Sequence, residues 1–208
     1  MKTIIKAALL IVVLVHAKNA MCGSTINVYA GAHADALLID SGEHKTLLVA
    51  GGAIPQGPAT AADCFAKATL QLKKKPNFYE GPLNPVHNEI IDADANSVSG
   101  KRAGLYVYPA SIRIGNVETA GICADGVDFF GVYKKISERD AKYASVFTKF
   151  MLLEDQNAAE MKKNGRFDEA NQELRPFVEI NHAKLKLGSA DRKAVESIVK
   201  EYESAQGR

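Results

Sequence analysis

The stretch Asp92-Ala93-Asp94-Ala95-Asn96 places oxygen-bearing side chains at alternate positions, with alanines between them. A hard cation such as calcium binds through oxygens gathered in a tight loop, and these positions match the first, third and fifth of a calcium-binding loop. The match then stops. Ser97 stands where a helix-loop-helix calcium site needs glycine, and Ala103 where it needs a bidentate glutamate. Asp92, Asp94 and Asn96 are therefore the metal-ligand set that the sequence offers, with calcium as the cofactor and Glu89 or a carbonyl near Val98 as further donors. An acidic hairpin loop held by Asp and Asn turns explains the same residues without an ion, and it is the favoured reading.

Other reactive side chains are less well assembled. His33, Asp35, Asp40 and His44 resemble a ligand set, but the first and last belong to loops at opposite ends of one strand. At about 3.3 Å per residue those loops lie roughly 16 Å apart, too far to share one ion. Ser41-Gly42 lacks the Gly-x-Ser-x-Gly elbow, and Gly51-Gly52 lacks any phosphate-loop pattern. Processing that exposes Cys22, Ser24 or Thr25 just before a strand would create an N-terminal nucleophile whose own amine acts as base. Cleavage after Ala17 or Ala20 exposes none of them, so this hydrolase needs a second cut.

The elements that must position these groups read as α+β. Ile26 to Tyr29, Ala36 to Ile39 and Thr46 to Val49 are short apolar strands with hairpin-length links, predicting an antiparallel meander over 25–52. Their continuous apolar character predicts cover on both sheet faces. Ala61, Phe65, Ala68 and Leu72 recur at helical spacing behind a Thr60 cap, predicting a helix that Lys73 to Lys75 and Pro76 end. Residues 77–88 read as an irregular connection. Short strands are expected at Glu89 to Asp92, Gly104 to Tyr108, Ser111 to Ile114, Thr119 to Ala124 and Phe129 to Tyr133. From Ser137, which with Asp140 forms a capping signature, the pattern turns helical. One helix ends at Asn164-Gly165, a second covers about 168–180 with Pro176 inside it, and a third runs over about 189–204. The expected organisation is an antiparallel α+β domain over 25–134 and a helical segment over 137–208, able to share one core.

Lys2 and Lys6 precede the apolar run Ala7 to Val15, and Val15-His16-Ala17 supplies small residues for signal peptidase, so residues 1–17 read as a signal peptide. The run is shorter than the roughly 20 residues of a membrane span. The expected product is secreted or periplasmic, with no membrane insertion after cleavage. Among the 208 residues there are three cysteines, Cys22, Cys64 and Cys123, which allow one disulfide and leave its pairing open. A net charge of +2 without a long basic block points away from nucleic acid, and leaves a small ligand or a protein as the expected partner.

Three family likenesses break at the residues that matter. Ala59 to Asn116, with Arg102-Ala103-Gly104, resembles in spacing part of the plant-type asparaginase family but lacks its Gly-x-Asp-Thr-x-Gly nucleophile setting. The opening 26–42 resembles the first hairpins of metallo-β-lactamase-fold proteins without their His-x-His-x-Asp-His cluster. Met151 to Ile180 resembles one tetratricopeptide unit, and about three are needed for a repeat array. The sequence thus predicts an exported, non-enzymatic binding or interaction protein, with an N-terminal-nucleophile amidohydrolase as the alternative.

Overall fold

A computed structural model describes residues 24–52, 63–180 and 182–207. The expected signal peptide, Cys22 and the Thr60 cap lie outside the described residues. Three strands open the chain: β1 (Thr25–Ala30), β2 (Ala34–Asp40) and β3 (Lys45–Gly52). They pair antiparallel, with Val28 opposite Leu37 and Leu37 opposite Leu48. β4 (Asp63–Leu72) and β5 (Phe78–Pro82) follow, then a short ribbon of β6 (Val86–His87) and β7 (Asp92–Ala93). β8 (Arg102–Tyr108), β9 (Ser111–Val117) and β10 (Gly131–Ile136) complete the strands. β10 pairs with β1, Val28 opposite Ile136, and this closes an eight-stranded barrel in the order β1-β10-β9-β8-β5-β4-β3-β2.

Alternation along each strand sorts side chains into a lumen set and an outer set. Ala36, Leu38, Leu47, Val49, Ala66, Ala68, Leu105, Ile112 and Tyr133 are buried in the lumen. Small side chains recur among them because eight strands enclose a space only wide enough for side chains to fill. Neighbouring backbones approach closely as well. A Cβ on Gly81 would sit 1.9 Å from the carbonyl oxygen of Thr69 on β4, so only glycine fits there.

One end of the barrel is closed by the β9–β10 connection. Phe129 is buried there, the Tyr133 hydroxyl donates to its carbonyl at 2.9 Å, and Cys123 forms a disulfide with Cys64 on β4. The bridge spans 59 residues, a loop whose closure stabilises by about 4 kcal/mol in the chain-entropy account. At the other end the Lys45 ammonium pairs with Asp40 and lies 5.0 Å from the centre of the Tyr79 ring.

The tail forms α1 (Ala141–Lys163), α2 (Phe167–Val178) and α3 (Ser189–Ala205), with a short 3-10 turn at His182–Lys184. The Asp140 carboxylate caps α1 by accepting from the Lys142 N–H, and Gly165 at φ +76° follows its end. The helices cover the outer face of β1, β2 and β4, where Phe150 meets Phe65 and Lys142 pairs with Asp35. Barrel and helices share one hydrophobic core. Among the described residues, no helix is long and apolar enough to cross a membrane.

The α+β class, with an antiparallel sheet followed by helices, is the observed one. Several segments differ from expectation. Of the residues read as a helix over 60–75, 63–72 form β4 instead. Both faces of β4 are buried, so Phe65 outside and Ala66 and Ala68 inside are all apolar, and the mixture imitates a helical stripe. Residues 77–88 hold β5 and β6, only Asp92 of the expected strand at 89–92 is extended, in β7, and 119–124 is a turn stapled by Cys123. The α1 cap is Asp140, which leaves Ser137 without that role.

Gly81→Ala should lower the unfolding free energy by about 3 kcal/mol, the upper end of overpacking costs, or prevent folding. Gly115→Ala, whose Cβ would meet only the Gly104 carbonyl at 3.6 Å, should change it by less than about 1 kcal/mol. Urea denaturation of both variants checks the pair, and equal losses would contradict the close approach.

Candidate functional site

The β6–β7 ribbon and its flanks lie beside α1 because the backbone N–H of His87 donates to Asn157 Oδ1 at 3.1 Å and that of Glu89 to Gln156 Oε1 at 2.8 Å. Between them is a surface cleft of ≈ 570 Å³, whose lining includes His87, Glu89, Asp92, Asp94, Glu160 and Lys163. Asp92 and Asp94 thus meet in one cleft, whereas Asn96 does not line it. Asp92 Oδ1 lies 2.5 Å from His87 Nδ1. Asp94 Oδ1 accepts from the Ser97 N–H at 2.8 Å and the Ser97 hydroxyl at 2.7 Å, bonds that hold its carboxyl below the usual range. Asp94 closes the following turn as an Asx residue does, which is the turn chemistry expected of this loop. Among the described residues, no three His, Cys, Asp or Glu side chains are grouped to hold a metal.

His33, Asp35, Asp40 and His44 stay apart: Asp35 pairs with Lys142 and Asp40 with Lys45. At the start of β1, Ser24 Oγ lies 3.1 Å from Ser41 Oγ. Ser24 and Thr25 also line a cleft of ≈ 270 Å³ with Glu138, Tyr143 and Lys184.

Two arrangements escaped sequence reasoning. The first is buried. Lys67, on the outer face of β4, reaches Glu154 of α1 at 2.6 Å and also pairs with Glu173 of α2. Lys67 and Glu154 are 3% and 1% exposed, so both charges are withdrawn from water, while Glu173 reaches the surface. Burial alone would lower the Lys67 ammonium, but the two carboxylates raise it. Burial pushes the Glu154 carboxyl from 4.5 to about 7, against the pull of Lys67 and with the repulsion of Glu173. One cation facing two carboxylates retains a proton near neutrality. The cluster ties both helices to the barrel.

The second is exposed. On the side away from the helices, Phe78, Tyr106, Arg113 and Val132 are successive cross-strand partners on β5, β8, β9 and β10 and share the outer face. The Phe78 and Tyr106 rings are 4.9 Å apart, and Tyr108 lies 6.5 Å from Tyr106 with its ring nearly parallel. The Arg113 guanidinium is 5.8 Å from the centre of the Phe130 ring. Phe130 and Val132 are 58% and 59% exposed, and Tyr108 is 43% exposed.

The buried cluster makes a pH prediction with a definite sign. Glu154 holds a proton in the folded chain between about pH 4.5 and 7 that the unfolded chain releases, so stability falls as pH rises through that window. Glu154→Gln should remove that slope, so that the stability curves of variant and wild type converge or cross in the window; parallel curves from pH 4.5 to 7.5 would contradict it. Lys67→Met, which leaves two facing carboxylates unpaired, should cost about 3–5 kcal/mol at pH 7.5.

No protein-family model, curated protein or solved structure matches this chain.

Proposed function

We propose that the chain is an exported, non-enzymatic binding protein that presents the uncovered face of its barrel to a partner. The observation that carries this reading is the cluster of exposed aromatic and apolar side chains Tyr108, Phe130 and Val132, on or beside β8 and β10, opposite the helix-covered side. A barrel that needed only to be stable would gain nothing from leaving Val132 and Phe130 in water. The Cys64–Cys123 bridge supports export, since structural disulfides persist in oxidising compartments and are rare in reducing ones.

A weak calcium site in the cleft beside α1 is a second part of this reading, favoured by the presence there of Glu89, Asp92, Asp94 and Glu160. Calcium would have to draw Asp92 from His87 and Asp94 from Ser97, consistent with the about 0.1–1 mM affinity of extracellular modules. The N-terminal-nucleophile hydrolase remains the alternative, and the cleft beside Ser24 and Thr25 is the feature in its favour.

Expression with the native leader, followed by intact mass of the product, tests export and separates the two main readings. Binding predicts a chain outside the cytoplasm that begins at Lys18 or Met21 and carries the Cys64–Cys123 bridge. A chain starting at Cys22, Ser24 or Thr25 favours the hydrolase, and a full-length cytosolic product with free thiols contradicts export. Calcium at 100 times its dissociation constant should add about 2.7 kcal/mol to the unfolding free energy. Asp92→Ala combined with Asp94→Ala should abolish that gain, and a wild-type melt indifferent to calcium and EDTA removes the site.

A further inference from the structure

We infer that the uncovered barrel face binds an acidic polysaccharide, with rings stacking on Tyr106 and Tyr108 and carboxylate or sulfate groups pairing with Arg113 and the lysines at the same edge. The inference rests on the binding-protein reading and adds the chemistry of the partner.

Charge selects an anionic partner. Along the row, Arg113 lies between Tyr106 and Val132, and the next row places Lys134 opposite Ser111. The β4–β5 turn brings Lys73, Lys74 and Lys75 beside Phe78: Lys73 N–H donates to the Phe78 carbonyl at 2.9 Å, and Phe78 N–H to that of Lys75 at 3.2 Å. Arg113, Lys134 and these three lysines have no ion-pair partner among the described residues. Of the nearby acids, Glu80 pairs with Arg102 at 3.1 Å, and Asp128, which accepts from the Phe130 N–H at 2.7 Å and keeps its charge, is outnumbered by Arg113, Lys134 and the three lysines. A nearly neutral protein thus carries a locally cationic face, which concentrates an anion there.

The aromatic side chains select a polymer of rings over a simple counter-ion. Tyr106 and Tyr108 project from one face of one strand with ring planes 13° apart and centroids 6.5 Å apart, Tyr106 half-buried beside Phe78 and Tyr108 43% exposed, so aromatic surface reaches water next to Arg113 and Lys134. Each ring offers an apolar face with a polar hydroxyl at its edge, suited to the alternating CH and hydroxyl faces of a sugar ring. Bases would also stack on exposed tyrosine rings. The disulfide favours an extracytoplasmic partner, and acidic polysaccharide is the ring polymer of opposite charge available there.

The test uses the full disulfide-bonded chain recovered after expression with its own leader. It is titrated by calorimetry with polygalacturonate and dextran sulfate, and with neutral dextran, poly-L-glutamate and oligothymidylate as comparators. The expected result is saturable binding to an acidic polysaccharide that weakens with salt, with weaker or no binding to the comparators. Tyr106→Ala with Tyr108→Ala should weaken binding about tenfold, equivalent to about 1.4 kcal/mol. Tyr106→Phe, which keeps the ring, should bind as wild type does, and Arg113→Gln should weaken binding with an unchanged melt. No binding to either acidic polysaccharide overturns the inference. So does equal binding to poly-L-glutamate that ignores the tyrosines, which is ion exchange, or tighter binding to oligothymidylate, which assigns the face to nucleic acid. Failure in these titrations leaves the mass and compartment result standing, whereas a cytosolic, reduced product removes the export reading whatever the titrations give.

Discussion

Closure of the barrel by β1, which pairs with β2 on one side and β10 on the other, is the constraint from which the other features follow. A closed sheet has no free edge, so the backbone groups of β1 and β10 are satisfied by each other and not left as a template for association. The enclosed space is narrow, and the chain fills it with alanine and medium aliphatic side chains. Where backbones come closest, glycine alone fits, as at Gly81 against β4.

A closed barrel has an outer surface all round, and this chain treats its two sides differently. Over β1 to β4 most outer side chains under the helices are apolar, and Leu37, Leu48 and Phe65 are as inaccessible as the lumen residues. Lys67 occupies that same buried face, and Glu154 and Glu173 answer it from two different helices. An apolar residue of similar volume would often serve stability as well as a buried ion cluster. What a charged cluster supplies is directionality, since Lys67 fixes which faces of α1 and α2 turn towards β4. Among the described residues the opposite side of the barrel has no such cover and carries Tyr106, Tyr108, Arg113 and Val132 outward. Helix packing is therefore concentrated on one side of the barrel, and the described residues leave aromatic and apolar side chains exposed on the other.

The disulfide belongs to the same logic. The β9–β10 connection is long and lacks regular structure, yet it closes one end of the lumen with Phe129. Cys123 anchors this connection to β4 through Cys64, which is itself nearly inaccessible.

Local patterns in the sequence determined the hairpin pairing of β1 to β3, the strands around Gly104 to Ile114, and the three helices with the Asn164-Gly165 stop. Each of these rests on neighbours within a few residues: β-branched runs between turn formers, or a cap and an apolar stripe. The grouping of Asp92 and Asp94 was legible for the same reason, as was the separation of His33 from His44. Only the tertiary structure decided the rest. β4 was misread because a strand buried on both faces loses the alternation by which strands are recognised, and its alanines answer to lumen width more than to helix propensity. Closure joins residues 28 and 136, a pairing with no local signature. The choice of Cys64 and Cys123 and the meeting of Lys67 with Glu154 and Glu173 also depend on distant segments arriving at one place. Tyr106 and Tyr108 were visible as strand residues, but which face of β8 the helices would leave in water depends on where α1 and α2 pack, and that is settled by the closed barrel beneath them.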